Sequence, residues 1–361
     1  MHRLSAQLYD ESLTAEEIEV QSGPYLYPPT LSLLIHQLKL NAPVFVGLLF
    51  IAVVGFGWLW LRANRRDAFQ PSPWWLLLIV LSWDVAATYL ALNVELVLIT
   101  SALLGAWLLW RRRPLLAALP IAFLMLIKPF FGLLIAAFSL LMLVQRPERR
   151  EQIGVIALAA GASLILIALE LFRWPDWLRL DFFDYFGNAL AHQWLALPTP
   201  EQTPMSIWNR TPLQLFVNMG IDATVAQWMS LALWAVLLIV SMWWTRQRSL
   251  SFALTFALAY VLFLWGRPVS WTLPYLEIVI LLAIWPSLRA RWQRAASLSA
   301  AGTLIASHWL ALFRSAQSIN ANLFTLQTAT FPWETIFVLP LSWVVVMLAT
   351  RARSTVTPRY S

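Results

Sequence analysis

Long apolar stretches alternate along this chain with short clusters of arginine, and the lengths of the stretches set the first expectation. Blocks near the ~20 residues that cross a hydrocarbon core run roughly over 44–62, 74–91, 94–110, 154–172, 223–244, 250–265, 268–286, 295–313 and 333–350. The stretch from Leu115 to Val144 is too long for one crossing. Lys128-Pro129 divides it, because proline breaks the helical ladder and a lysine at mid-bilayer is costly, so two short or re-entrant helices are expected there. The pattern predicts an all-α, polytopic integral membrane protein of about eleven transmembrane helices. Residues 1–361 form a single membrane domain, with no internal repeat and no sizeable soluble domain.

The arginines give the crossings a direction. Arg62, Arg65 and Arg66, Arg111 to Arg113, Arg146, Arg149 and Arg150, Arg246 and Arg248, Arg289, Arg291 and Arg294, and Arg351, Arg353 and Arg359 each follow an apolar block. Basic residues near span ends are retained on the cytoplasmic side. That places 1–42, the turn at Leu92 to Glu95, the region of Lys128, the long loop 173–222, the turn 266–271 and the segment 314–332 outside. The N-terminal segment is then external with no signal peptide or span before it, which leads us to expect a further span upstream; short tails that cross unaided are the alternative.

Composition agrees with this reading. Hydrophobic residues make up 60% of the chain and charged residues 12%, where soluble domains carry about 25% charged. The net charge of +7 resides largely in the span-end clusters, so positive-inside retention accounts for it and nucleic acid is not an expected partner. The absence of cysteine excludes disulfides, thiolate metal sites and cysteine nucleophiles. Many of the 22 tryptophans lie near span ends and suit interfacial anchoring. His36 and His308 lack ligand-like spacing, so no metal or cofactor is expected.

Chemistry therefore belongs to the external turns, where four patterns stand out. Tyr27-Pro28-Pro29 precedes an apolar run, and the prolines enforce an extended approach to it. Leu92-Asn93-Val94-Glu95 is a tight outer turn whose Asn93 and Glu95 either face a cavity or cap a helix. Ile127-Lys128-Pro129 and Gly266-Arg267-Pro268-Val269-Ser270-Trp271 each set a cation on a broken turn between short spans, a position that suits a lipid phosphate. The long loop adds Asn209 and Arg210 to the polar groups. Asp84 and Glu277, deep in spans, keep a proton relay or transport site open as an alternative, although no half-and-half repeat accompanies them.

In this order the patterns resemble glycosyltransferase family 87, the polytopic mannosyltransferase-like group of the GT-C superfamily. The resemblance runs from about Leu8 to Trp285 and rests on Tyr27-Pro28-Pro29, Leu92 to Glu95, Arg111 to Pro114, Ile127-Lys128-Pro129 and Arg267 to Trp271. It implies a polyprenyl-phosphate-linked hexose, usually mannose, as donor. It also implies transfer with inversion to a lipid or glycan acceptor at the extracytoplasmic face of the plasma membrane. Lys128, Arg267 and Arg210 would meet the donor phosphate, and Tyr27, Asn93, Asn209, Ser270 and Trp271 would line the cleft. The family's catalytic aspartate lies upstream of a Leu-Tyr-Asp-like segment, and this chain begins near that segment, at Leu8-Tyr9-Asp10. Asp10, Glu11 and Glu95 are accordingly the substitute candidates for the base. A transporter or flippase of lipid-linked sugars, dependent on Asp84 or Glu277, and a non-catalytic relative that binds only the lipid donor are the remaining alternatives.

Overall fold

The computed structural model describes residues 42–63, 95–172, 211–248, 250–267, 288, 290–318, 336 and 338–352, and every regular element among them is helical. The helices are α1 (Ala42–Ala63), α2 (Glu95–Trp110), α3 (Pro114–Ile127), α4 (Gly132–Gln145), α5 (Glu151–Leu171), α6 (Pro212–Asn218), α7 (Ala223–Thr245), α8 (Phe252–Gly266), α9 (Arg291–Ser318) and α10 (Leu339–Ala352).

Helix α8 is the centre of the packing. Each residue from Phe252 to Leu264 is buried, as expected for a helix that is apolar on all sides. Helices α4, α7 and α10 pack around it, with contributions from α1 and α2. Its start is fixed by Ser251, whose Oγ accepts the Leu254 N–H at 3.4 Å. Aromatic side chains at Phe252, Phe256, Tyr260 and Phe263 recur at helical spacing and touch in series, with centroids 5.9–6.3 Å apart.

Helices α2 and α3 form a hairpin over Arg111 to Arg113, in which Arg112 takes the left-handed conformation at φ 59°. Pro114 occupies the first helical position of α3, where its missing N–H is not needed. The break expected at Lys128-Pro129 is present. Lys128 ends α3 at φ −145° and ψ 89°, in the extended region that a residue before proline favours. A single 3₁₀ turn over Pro129–Phe131 follows, closed by the Phe131 N–H on the Lys128 carbonyl at 3.0 Å, and α4 starts at Gly132.

Several of the arginine-bearing loops meet at one end of the bundle. Arg149 Nη1 donates to the Trp110 carbonyl at 2.8 Å, joining the α4–α5 loop to the end of α2. The Leu250 N–H donates to Gln145 Oε1 at 3.3 Å, and Trp244 Nε1 donates to Thr350 Oγ1 at 3.0 Å, which brings the ends of α4, α7 and α10 together with the start of α8. Trp60 packs on Phe256 at 6.2 Å, so the Arg62 end of α1 is there too. The opposite end holds the start of α2 at Glu95, the Lys128 turn, Asp222 and the end of α8. This is the common sidedness that the spacing of the clusters predicts.

Helix length varies across the bundle. Among the described residues, Glu151–Leu169 and Trp228–Thr245 are long and apolar enough to cross a membrane. Both carry large exposed apolar side chains, such as Leu158 and Ile165 on α5 and Trp228 and Ile239 on α7. Helices α3, α4 and α8 have only 14, 14 and 15 residues. At 1.5 Å per residue such helices reach about 22 Å, less than a hydrocarbon core of about 30 Å.

Candidate functional site

The two cations that the sequence placed on broken turns come together. Lys128 stands at the end of α3 and Arg267 one residue beyond α8, and they share the ring of Phe130. Lys128 Nζ lies 5.5 Å from its centroid and Arg267 Cζ 5.4 Å. Arg267 Cζ is also 5.3 Å from the Phe263 centroid. Phe130 and Phe263 stack at 6.2 Å with 12° between their planes, and Phe131 closes the cluster at 4.9 Å from Phe263. Stacked rings present negative faces to both cations, so the aromatic cluster holds two like charges near each other.

The backbone dictates this placement. Because Pro129 ends α3, Phe130 falls on a tight turn directly after Lys128 and cannot continue the α3 face. Helix α8 delivers Phe263 and then Arg267, whose N–H bonds back to the Phe263 carbonyl at 2.9 Å. Arg267 is 3% exposed and Lys128 is half-buried, so both charges sit largely out of bulk solvent.

The site is recessed. Gly266, immediately before Arg267, lies against the indole of Trp234, the central residue of the 23-residue α7. The cationic end of α8 therefore stops about halfway along its longer neighbour, about 16 Å short of the start of α7 at helical rise. The indole N–H groups of Trp234 and Trp265 are buried without an acceptor among the described residues. Two cations and two indole donors make this region rich in donors, an arrangement suited to a ligand with anionic oxygens.

Of the other residues expected at the site, Glu95 opens α2 at the same end of the bundle. Asp10, Glu11, Tyr27, Asn93, Asn209, Arg210, Ser270 and Trp271 lie outside the described residues, as do Asp84 and Glu277. The described residues contain no group of three or more His, Cys, Asp or Glu positioned for a metal ion. Phe130 and Gly266 stand within the two turns that the sequence marks but carry no role there, and neither Phe263 nor Trp234 is singled out by it. The aromatic spacing along α8 was the available signal for Phe263, but nothing local ties it to Phe130, 133 residues away in the numbering.

No family model matches the chain, and no curated protein or solved structure matches it.

Proposed function

We propose that this chain is a polytopic membrane glycosyltransferase that takes a hexose, mannose by resemblance, from a polyprenyl-phosphate donor to a lipid or glycan acceptor at the extracytoplasmic face. The observation that carries the reading is the meeting of Lys128 and Arg267 on Phe130, at the end of the bundle opposite the arginine loops. Membrane placement is supported by the apolar blocks of the sequence, by the two long apolar helices and by the convergence of the arginine loops. Intramembrane cations are costly and face a cavity or a counter-charge, which suits a phosphate arriving from the lipid.

In this reading an acceptor hydroxyl attacks the anomeric carbon as the bond from that carbon to the phosphate oxygen breaks. A carboxylate takes the hydroxyl proton, and the polyprenyl phosphate departs with the bonding electrons. Lys128 and Arg267 stabilise the charge that grows on the departing phosphate, in a water-poor recess where such contacts are strongest. Glu95 is the base candidate whose helix starts at the same end, with Asp10 and Glu11 as the others.

The reading is tested by photo-crosslinking the chain, in proteoliposomes, to a polyprenyl phosphate bearing a photoreactive group near the phosphate. Labelling of peptides containing Lys128 or Arg267, competed by unlabelled polyprenyl phosphate and not by the neutral polyprenol, is expected. Equal competition by the polyprenol would contradict it.

A further inference from the structure

The arginine end of the bundle carries a second concentration of positive charge, built differently from the first. Six arginines, Arg111 to Arg113, Arg146, Arg149 and Arg150, occupy the α2–α3 and α4–α5 loops, together with two acids, Glu148 and Glu151. Arg149 is 6% exposed and serves the fold, donating from Nη1 to the carbonyls of Leu109 and Trp110 at 3.3 and 2.8 Å at the negative end of α2. Its Nε is buried with no hydrogen-bond partner among the described residues, and Glu148 Oε1 is 4.0 Å away. Arg146 lies over the Trp110 ring at 3.9 Å, which fixes the plane of its guanidinium. Arg112 reaches Glu148 at 3.7 Å with its side chain 66% exposed.

One carboxylate is thus shared between Arg112 and Arg149. Burial, then the charges of Arg146 and Arg112, hold the Arg149 guanidinium down to about 10, with Glu148 opposing. Burial also holds the Arg146 guanidinium below its usual value, with Glu148 opposing and Arg112 adding a smaller push downward. Six arginines against two acids leave these loops with a net positive charge. Below it, toward the middle of the bundle, the surface turns apolar: Leu115 and Leu119 on α3 are 76% and 71% exposed, and Leu158 on α5 is 74% exposed. Gly154 and Gly161 leave open space along α5.

We propose that these two loops bind the headgroup phosphate of an anionic phospholipid, seated on Arg112 and Arg146 with its acyl chains along the exposed leucines of α3 and α5. A cation cluster directly above an apolar helix face matches the two halves of such a lipid, and basic pockets at the cytoplasmic ends of spans take phospholipid headgroups by this physics. The proposal rests on the membrane placement above and is independent of the transfer reaction and of the Lys128 site.

The test uses the full chain in neutral detergent, titrated with short-chain phosphatidylglycerol, short-chain phosphatidylcholine or inorganic phosphate, with the melting midpoint as readout. Phosphatidylglycerol is expected to raise the midpoint at concentrations where the other two do not. Arg112→Gln and Arg146→Gln should each weaken its apparent affinity about fivefold. The same charge loss at Arg246→Gln, at the same end, and at Arg291→Gln, at the start of α9, both outside these loops, should leave it unchanged. Equal effects of phosphatidylcholine or free phosphate, or equal losses in the control variants, would overturn the proposal. Should Arg146→Gln not fold, Arg112→Gln, on an exposed side chain, decides the matter alone. Removal of the protein from membranes by alkaline carbonate would instead defeat the membrane placement.

Discussion

Gly266 and Trp234 are in close contact: a Cβ built on the glycine would stand 2.6 Å from the indole Cδ1 and 2.9 Å from Nε1. Only a residue without a side chain allows α8 and α7 to approach in this way just before Arg267. Gly266→Ala should displace the indole and lower stability by about 1–3 kcal/mol, the range for overpacking a filled interior. Combined with Trp234→Leu, the loss should be smaller than the sum of the two single losses, because both act on one contact. Thermal melts of the three variants in detergent measure this.

Phe130 gives a sharper functional test than either cation, since it carries no charge. Phe130→Leu keeps an apolar side chain but removes the ring that both Lys128 and Arg267 approach. Polyprenyl-phosphate binding should weaken about tenfold in this variant, whereas Phe130→Tyr retains the ring and should bind nearly as the wild type does. Titration with a fluorescent polyprenyl phosphate distinguishes the two.

Arg149 is a structural arginine among surface ones. Arg149→Met removes the donors to the Leu109 and Trp110 carbonyls and should destabilise the chain by about 1–3 kcal/mol. Hydrogen exchange should accelerate first in the last turn of α2, whose capping is lost, and at the α4–α5 loop. Arg150→Met, on an exposed neighbour, should change neither measurement.

The sequence contains no cysteine, so each introduced one reports alone. Glu148→Cys and Gln247→Cys, both exposed at the arginine end, should react with a membrane-impermeant maleimide only after the membrane is opened. Met219→Cys, 69% exposed just before α7, should react in intact cells. Labelling of all three from one side would contradict the topology.

Much of the helical plan was legible because it follows from local rules. The end of α3 and the start of α4 were readable from Lys128-Pro129, since proline acts on its own backbone and on the residue before it. The arginine clusters revealed that Arg62, Arg111, Arg146 and Arg246 share an end, because each cluster closes an apolar block. Their individual roles were not legible. Arg149 is buried as a helix cap while Arg150 is exposed, and only the approach of α2, distant in sequence, separates the two. The candidate site behaves likewise: Lys128 and Arg267 were each marked by a proline-broken turn, yet the ring that joins them depends on how α8 packs against the 3₁₀ turn.

Transfer of radiolabel from polyprenyl-phosphate mannose to lipid or glycan acceptors, in proteoliposomes of the wild type and of Lys128→Gln and Arg267→Gln, tests the central claim most directly. The account predicts transfer by the wild type and a fall of about 100-fold or more in kcat for each variant, the loss expected when a group stabilising the developing charge is removed. Wild-type rates in both variants, or no transfer by the wild type across a panel of lipid-linked hexoses and acceptors, would contradict it.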